Sequence, residues 1–298
     1  MIDQLQQRFN KTGVRFFEHD RLVMLELENA HGRTVITTQG ATVLSYVPTG
    51  GQEVLWVSDT ARYDGSKPVR GGIPVCWPWF GPHPSNPALP AHGFARQETW
   101  EVTDVTGDED ETRATFRLEA NERTQSMWPS PFRLDLTVTL GRRLQVDLQA
   151  TNLSPEPWQI SEALHSYFRV DDARGIEVDG LEGLDYWDKQ QGGVRGTQHQ
   201  PLTIEPPIDR VFFDHGGKAL IRDRARDIQV DKRGGATTVV WNPGPVGVRA
   251  FDDIPEHAWS KMLCVETANA LDNAYRLAPG QRHTLSATIG TETDDPGD

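Results

Sequence analysis

The chain has 298 residues, 37% of them hydrophobic with a further 27 glycines, so about 46% is apolar or glycine, as in folded globular chains and unlike disordered ones. Its formal net charge of −13, from 30 Lys and Arg against 43 Asp and Glu, opposes nucleic acids and acidic membrane surfaces as partners. Cys76 and Cys264 stand in no metal-type spacing, and the longest run without a polar side chain, residues 71–82, is short and proline-rich, which excludes disulfide scaffolds, zinc fingers and membrane-spanning helices. The opening MIDQLQQRFN has no basic segment followed by an apolar one, so no signal peptide is read and a cytoplasmic location is expected.

In chain order, residues 1–12 read as an N-terminal extension whose helical turn, 3–10, carries Leu5 and Phe9 on one side. Short apolar-alternating runs at 22–28, 33–38 and 41–47 read as strands. Between Pro68 and Pro90, seven prolines and the cluster Trp77, Trp79 and Phe80 interrupt this pattern, predicting a long ordered loop of the kind that carries function or caps the end of a sandwich. Strands resume at 100–105, 112–118, 132–140 and 144–150. In the third of these, Phe132, Leu134, Leu136, Val138 and Leu140 alternate with polar residues, and Gly141-Arg142 predicts a two-residue type II′ turn into the fourth. Further strands are read at 163–170, 219–222, 237–241, 261–267 and 284–289, with a helical turn at 255–260. Residues 291–298, strongly acidic from Glu292 onward, are expected to fray. Strands without helices between them predict an all-β chain, a sandwich or barrel, with one domain over residues 1–298.

Few residues stand out as chemistry. From Gly65 to Gln97 there is no Asp or Glu, where the chain average would place about five. Lys67, Arg70 and Arg96 make that stretch locally positive. Arg70 precedes Gly71-Gly72, where backbone can approach a ligand closely, and Arg96 closes the sequence HGFAR that begins at His92. Planar guanidinium groups in such a setting suit a small anion; the alternative is that both pair with carboxylates elsewhere. His165 shares a strand face with Ala163, Tyr167 and Arg169, either as a hydrogen-bonded structural residue or as an acid–base group. Glu266 shares a face with Met262 and Cys264. A carboxylate on an apolar face is either a general base with a raised pKa or the partner of a structural arginine. Asp209 follows Pro206-Pro207 and is read in a rigid turn at a strand entry, and Trp241-Asn242-Pro243-Gly244 ends a strand with an aromatic, an ingredient of sugar sites and of sandwich rims alike. The nine histidines show neither HxH nor HExxH spacing, so no metal is expected, and no nucleotide loop or nucleophile elbow is present.

Taken together, RGGIPVCWPWFGPH (70–83), HGFAR (92–96), ALHSYF (163–168), IDRVF (208–212) and CVETAN (264–269) resemble the bacterial hexose-6-phosphate mutarotases, the glucose-6-phosphate 1-epimerase branch of the galactose-mutarotase-like proteins. The resemblance runs from about Val14 to Ile289. It implies an antiparallel β-supersandwich with an open sugar cleft, no cofactor, a monomer, a sugar phosphate as the small-molecule partner, and an acid–base pair on His165 and Glu266. It further implies that Arg70 and Arg96 hold the phosphate, that His92 lines the cleft and that Asp209 binds sugar hydroxyls. Phe212 stands where relatives frequently carry Tyr, which removes one hydroxyl contact. The competing readings are a mutarotase of unphosphorylated aldoses and a non-catalytic carbohydrate-binding sandwich.

Overall fold

The computed structural model describes residues 2–224 and 226–291. All its paired strands run antiparallel, and two large sheets dominate. The first, of nine strands, is ordered Leu202–Thr203, Glu177–Asp179, Lys218–Arg222, Asp227–Arg233, Arg282–Thr291, Leu144–Asn152, Phe132–Leu140, Thr112–Glu119 and Glu101–Gly107. The second, of eight, runs Val194–Thr197, Asp185–Asp188, Ile208–Phe212, Thr237–Asn242, Met262–Asn269, Glu162–Leu164 and Val75–Cys76, with Tyr167–Arg169 also paired to Met262–Asn269. A four-stranded meander, Val14–His19, Leu22–Asn29, Gly32–Thr37 and Val43–Pro48, precedes both. The helix Ile2–Arg8 docks on it through Gln6, whose side chain accepts from Phe16 N at 2.9 Å and donates to Val14 O at 3.1 Å.

Alternation explains how the sheets pack. On Phe132–Leu140 the apolar positions are buried and the polar ones between Phe132 and Val138 only partly so, and the same cluster of buried side chains takes Leu164, Phe168, Val240, Leu263 and Val265 from the other large sheet. Met262–Asn269 is buried at every position, because its second face is covered too: Met262 and Cys264 pack with Trp56, Val248 and Ile254, and Ala268 with Cys76, Ala163 and Val211.

Several sequence expectations change. The hairpin after Leu140 has three loop residues, not two. Opposite residues of an antiparallel pair point to the same side, so Leu140 can face Leu144 only if an odd number of residues intervenes; a two-residue turn would set Leu140 against Arg143. Gly141 accordingly lacks the positive φ that a type II′ turn requires. Asp209 lies within the strand Ile208–Phe212, paired on both sides, not in a turn. The expected strand 163–170 is broken at His165 and Ser166, where Ser166 N donates back to Leu164 O at 2.9 Å in a tight turn over His165. The proline-rich loop contains one short strand, Val75–Cys76, which edges the eight-stranded sheet. Gly71 and Gly72 are required by neighbouring backbone: at φ +115° and +69°, a Cβ on either would lie 2.3 Å from Trp56 O or 2.1 Å from Val43 O. Phe212 is fully buried in the core, facing away from the cleft-side residues Asp209 and Val211, so a hydroxyl there would not reach the cleft. Thr291 is buried at the end of its strand, so fraying does not begin there, and the rest of the acidic tail lies outside the described residues.

No helix among the described residues is long and apolar enough to cross a membrane.

Candidate active site

A cleft of about 280 Å³ opens on the outer face of the eight-stranded sheet, near the lower end of the size range of small-molecule sites. Register builds its floor in two rows of side chains. Asp209 lies opposite Trp241, Trp241 opposite Cys264, and Cys264 opposite Tyr167. In the adjacent row Trp187 pairs with Val211, Val211 with Val239, and Val239 with Glu266. Because Leu164 pairs with Thr267 and Tyr167 with Cys264, the same register sets His165 opposite Glu266.

His165 Nε2 lies 3.4 Å from Glu266 Oε1, and both residues are buried. Burial pushes the Glu266 carboxyl well above the ordinary carboxylate range, with Lys189 and Arg96 opposing the rise and Asp209 adding to it. Burial also holds the imidazole of His165 well below its usual value, reinforced by His92, Arg96 and Arg70. Both shifts favour the uncharged forms, a protonated carboxyl beside a neutral imidazole, and so one proton for the pair. Glu266 Oε2 and His165 Nδ1 have no hydrogen-bond partner among the described residues. The ring of His165 is fixed by stacking on Tyr167, at 4.8 Å and 13°, and Tyr167 Oη in turn accepts from Arg70 Nη1 at 3.2 Å.

The two arginines differ. Arg70 Nε donates to Asp253 Oδ1 at 3.1 Å, the guanidinium lies 5.1 Å from the Phe251 ring centroid, and its charge is thereby partly answered. Arg96 donates through Nη2 to Ala91 O at 2.9 Å, and no carboxylate lies within ion-pair distance of it among the described residues. Pairing with carboxylates elsewhere thus holds for Arg70 and not for Arg96. Lys67 lies outside this cleft and is bonded to Asp252 at 2.8 Å.

His92 sits on the wall at φ +67°, its N–H donating to Gly81 O at 2.7 Å while its Nδ1 accepts from Gly81 N at 3.3 Å. Burial and the nearby cations depress its pKa to about 3. The ring is therefore neutral near pH 7, and because Nδ1 accepts, its proton sits on Nε2 as a fixed donor. The two cysteines are not nucleophiles: burial drives Cys76 to about 12 and Cys264 well above the usual thiol range. Among the described residues no group of three or more His, Cys, Asp or Glu is placed to hold a metal ion.

The fold thus brings together all six residues singled out in the sequence, Arg70, His92, Arg96, His165, Asp209 and Glu266. Sequence reasoning missed Lys189, which also lines the cleft, and Asp253, which answers Arg70. Only the turn composition Lys189-Gln190-Gln191-Gly192-Gly193 signalled that a side chain would be presented there.

Comparison with known proteins agrees with this geometry. The profile described as aldose 1-epimerase matches residues 23–290. An Escherichia coli protein provisionally named glucose-6-phosphate 1-epimerase is 34% identical over 254 residues, 84% of each chain. A crystal structure from Salmonella typhimurium, provisionally described as a mutarotase, superposes with a TM-score of 0.88 at 30% identity, covering 94% of each chain. A galactose mutarotase related enzyme from Lactobacillus acidophilus, at 16% identity and a TM-score of 0.70 over 91% of this chain and 98% of that one, shares the fold.

Proposed function

The chain belongs to the aldose 1-epimerase family, and from that premise we propose that it interconverts the α and β anomers of a hexose 6-phosphate, glucose 6-phosphate foremost. Anomer exchange needs a base at the C1 hydroxyl and an acid at the ring oxygen. The pair's one proton first passes from Glu266 to His165 Nε2, 3.4 Å away; Glu266, then a carboxylate, takes the C1 hydroxyl proton, the C1–O5 bond breaks as C1 becomes an aldehyde, and O5 takes its proton from the imidazolium so formed. Rotation about C1–C2 turns the other face of the aldehyde to O5. The steps then run backwards, Glu266 returning its proton to the C1 oxygen and His165 recovering one from O5, so no proton is gained or lost over the cycle. A raised Glu266 pKa suits this task, because a base matched to the working pH both accepts and releases a proton readily.

The observation that carries the phosphate assignment is Arg96, a cation in the cleft wall of a strongly acidic chain with no carboxylate answering it among the described residues. With the Nη2 donors of Arg70 beside it, a doubly charged oxyanion finds a bidentate site there. The name of the Escherichia coli relative supports the same substrate class. In this reading His92 donates from Nε2 to the sugar, Asp209 accepts from its hydroxyls, and the chain acts as a monomer built from one domain. The test is magnetisation exchange between the two C1 anomeric proton signals of glucose 6-phosphate and of glucose. Acceleration on the phosphate and much less on the free sugar is the expected result. Equal acceleration on both favours an unphosphorylated aldose, and none on either leaves a binding protein.

A further inference from the structure

Lys189 owes its place in the cleft to a constructed turn. It follows the last residue of Asp185–Asp188, and its own N–H donates to Asp209 O at 2.9 Å, extending the ladder by one step. The buried Asp188 organises the turn: Oδ1 accepts from Gln190 N at 2.9 Å and Gln191 N at 3.2 Å, while Oδ2 accepts from Arg210 Nε at 2.8 Å. Gly193 closes it at φ +86°, where a Cβ would lie 2.7 Å from Trp187 Nε1. The ammonium is left over the rings of Phe80 and Trp187, 5.6 and 5.8 Å from their centroids, and 3.3 Å from Asp209 Oδ1.

This pair stands at the opposite end of the floor from the arginine end. Asp209 and Tyr167, which bonds Arg70, are three strand spacings apart in one row, about 14 Å. His165 and Glu266 lie in the next row between them. A hexose 6-phosphate with its phosphate at the arginines and C1 at the dyad turns the ring carbons farthest from the C6 arm, C2 and C3, toward Lys189 and Asp209. A fixed donor beside a fixed acceptor matches two adjacent hydroxyls, one accepting from Nζ and the other donating to the carboxylate.

Resting on the function proposed above, we infer that Lys189 is a substrate-binding residue that, with Asp209, grips the C2–C3 hydroxyl pair and sets the enzyme's selectivity at those carbons. Once the ring opens, the chain is then held at the phosphate and at C2–C3. The C1–C2 bond is left free to turn, so the aldehyde presents either face to O5 without the rest of the sugar drifting away.

The experiment compares kcat/KM for glucose 6-phosphate with its 2-deoxy and 3-deoxy analogues in wild type, Lys189→Met and Lys189→Arg. Wild type is expected to disfavour the analogue lacking the hydroxyl that meets Nζ by about 10- to 150-fold, the scale of one charge-assisted hydrogen bond. In Lys189→Met that ratio falls to within about threefold of unity, because the donor is already gone, and Lys189→Arg restores most of it. A lysine acting only through its field on Glu266 would slow all three sugars equally and leave both ratios at their wild-type values, which overturns the inference. Failure of wild type to accelerate exchange of any hexose 6-phosphate would instead overturn the proposed function.

Discussion

Replacing Arg96 by Met removes the cation at the phosphate end, and because its field on Glu266 and His165 acts on every substrate alike, the ratio between phosphorylated and free sugar isolates recognition of the phosphate. Its only hydrogen bond among the described residues is to Ala91 O, so Arg96→Met keeps much of the stem's packing and strands no buried carboxylate. A hydrogen bond to a charged group contributes about 1.5–3 kcal/mol. Counting one such bond, to allow for solvent at this partly buried residue, kcat/KM for glucose 6-phosphate should fall about 10- to 150-fold. Free glucose, with nothing to offer at that end, should feel only the lost field of Arg96 on Glu266 and His165 and so change much less than the phosphate. Rising salt should erode the wild-type preference for the phosphate and leave the variant's residual preference flatter, since part of the attraction is screened. Arg70→Met is the instructive contrast. It strands Asp253, only 4% exposed, and removing one partner of a buried pair costs about 3–5 kcal/mol of stability. It also frees the tyrosine that stacks on His165. Its loss should therefore appear on both sugars and in the denaturation midpoint. The assay is anomer exchange by NMR on both sugars at two ionic strengths, beside urea unfolding. An Arg96→Met protein that loses the same factor on glucose as on glucose 6-phosphate, or loses nothing on either, would refute the reasoning.

Glu266→Gln and His165→Asn should each slow exchange by about 10²- to 10⁴-fold, and the double variant by much less than the product of the two, because the pair acts as a unit; additive losses in log rate, from stopped-flow polarimetry, would separate their roles. The pH–rate profile should be a bell belonging to the pair, its alkaline limb above the usual carboxylate range as Glu266 is raised and its acid limb below the usual imidazole range as His165 is lowered. A single sigmoid near either unshifted value would contradict the shared proton. His92 titrates at 6.5 when unfolded and at about 3 when folded, so its contribution to stability is complete above 6.5 and drains away as pH falls toward 3. His92→Phe should accordingly lose less stability than wild type between about pH 7 and pH 5, measured by urea unfolding, and an identical loss would show that the imidazole is solvated in the native protein. Gly93→Ala would set a Cβ 1.9 Å from Trp77 O at φ +71°, so it should unfold at markedly lower urea than wild type, by more than the roughly 1 kcal/mol typical of point changes; an unchanged midpoint would show that the backbone there can yield.

Much of this was legible from residue order. Alternation marked the faces of Phe132–Leu140, set Glu266 on the cleft side of its strand and gave His165 the side of Ala163 and Tyr167, which it keeps through the break at 165–166. Their pairing was not legible, since parity names a face and says nothing about which residue lies opposite. Asp209 was misplaced because two prolines advertise a turn, and the ladder that begins at Ile208 shows only when its partners on Asp185–Asp188 and Thr237–Asn242 are known. The count of residues after Leu140 was available in the sequence: apolar positions at 140 and 144 already demand an odd loop. The backbone that crowds Gly71 and Gly72 was not legible either, because a glycine reports crowding without saying what does the crowding. Lys189 escaped because a lysine in a polar turn resembles every solvated lysine until Asp209 is brought beside it.

Setting His165 and Glu266 face to face across a backbone ladder has a consequence for how such a chain can change over time. The pairs Leu164 with Thr267 and Tyr167 with Cys264 bracket their separation, and Pro74 O holds the His165 N–H in the break between at 3.0 Å, whereas the Lys189 turn and the outer rim can be lengthened or exchanged without altering it. A single inserted residue inside Met262–Asn269 would instead turn the carboxylate to the opposite side of the sheet, and a two-residue slip would present Cys264 or Ala268 to the imidazole. Selectivity is therefore free to diversify through insertions at the rim, while the reaction tolerates no change of length in the two strands beneath it.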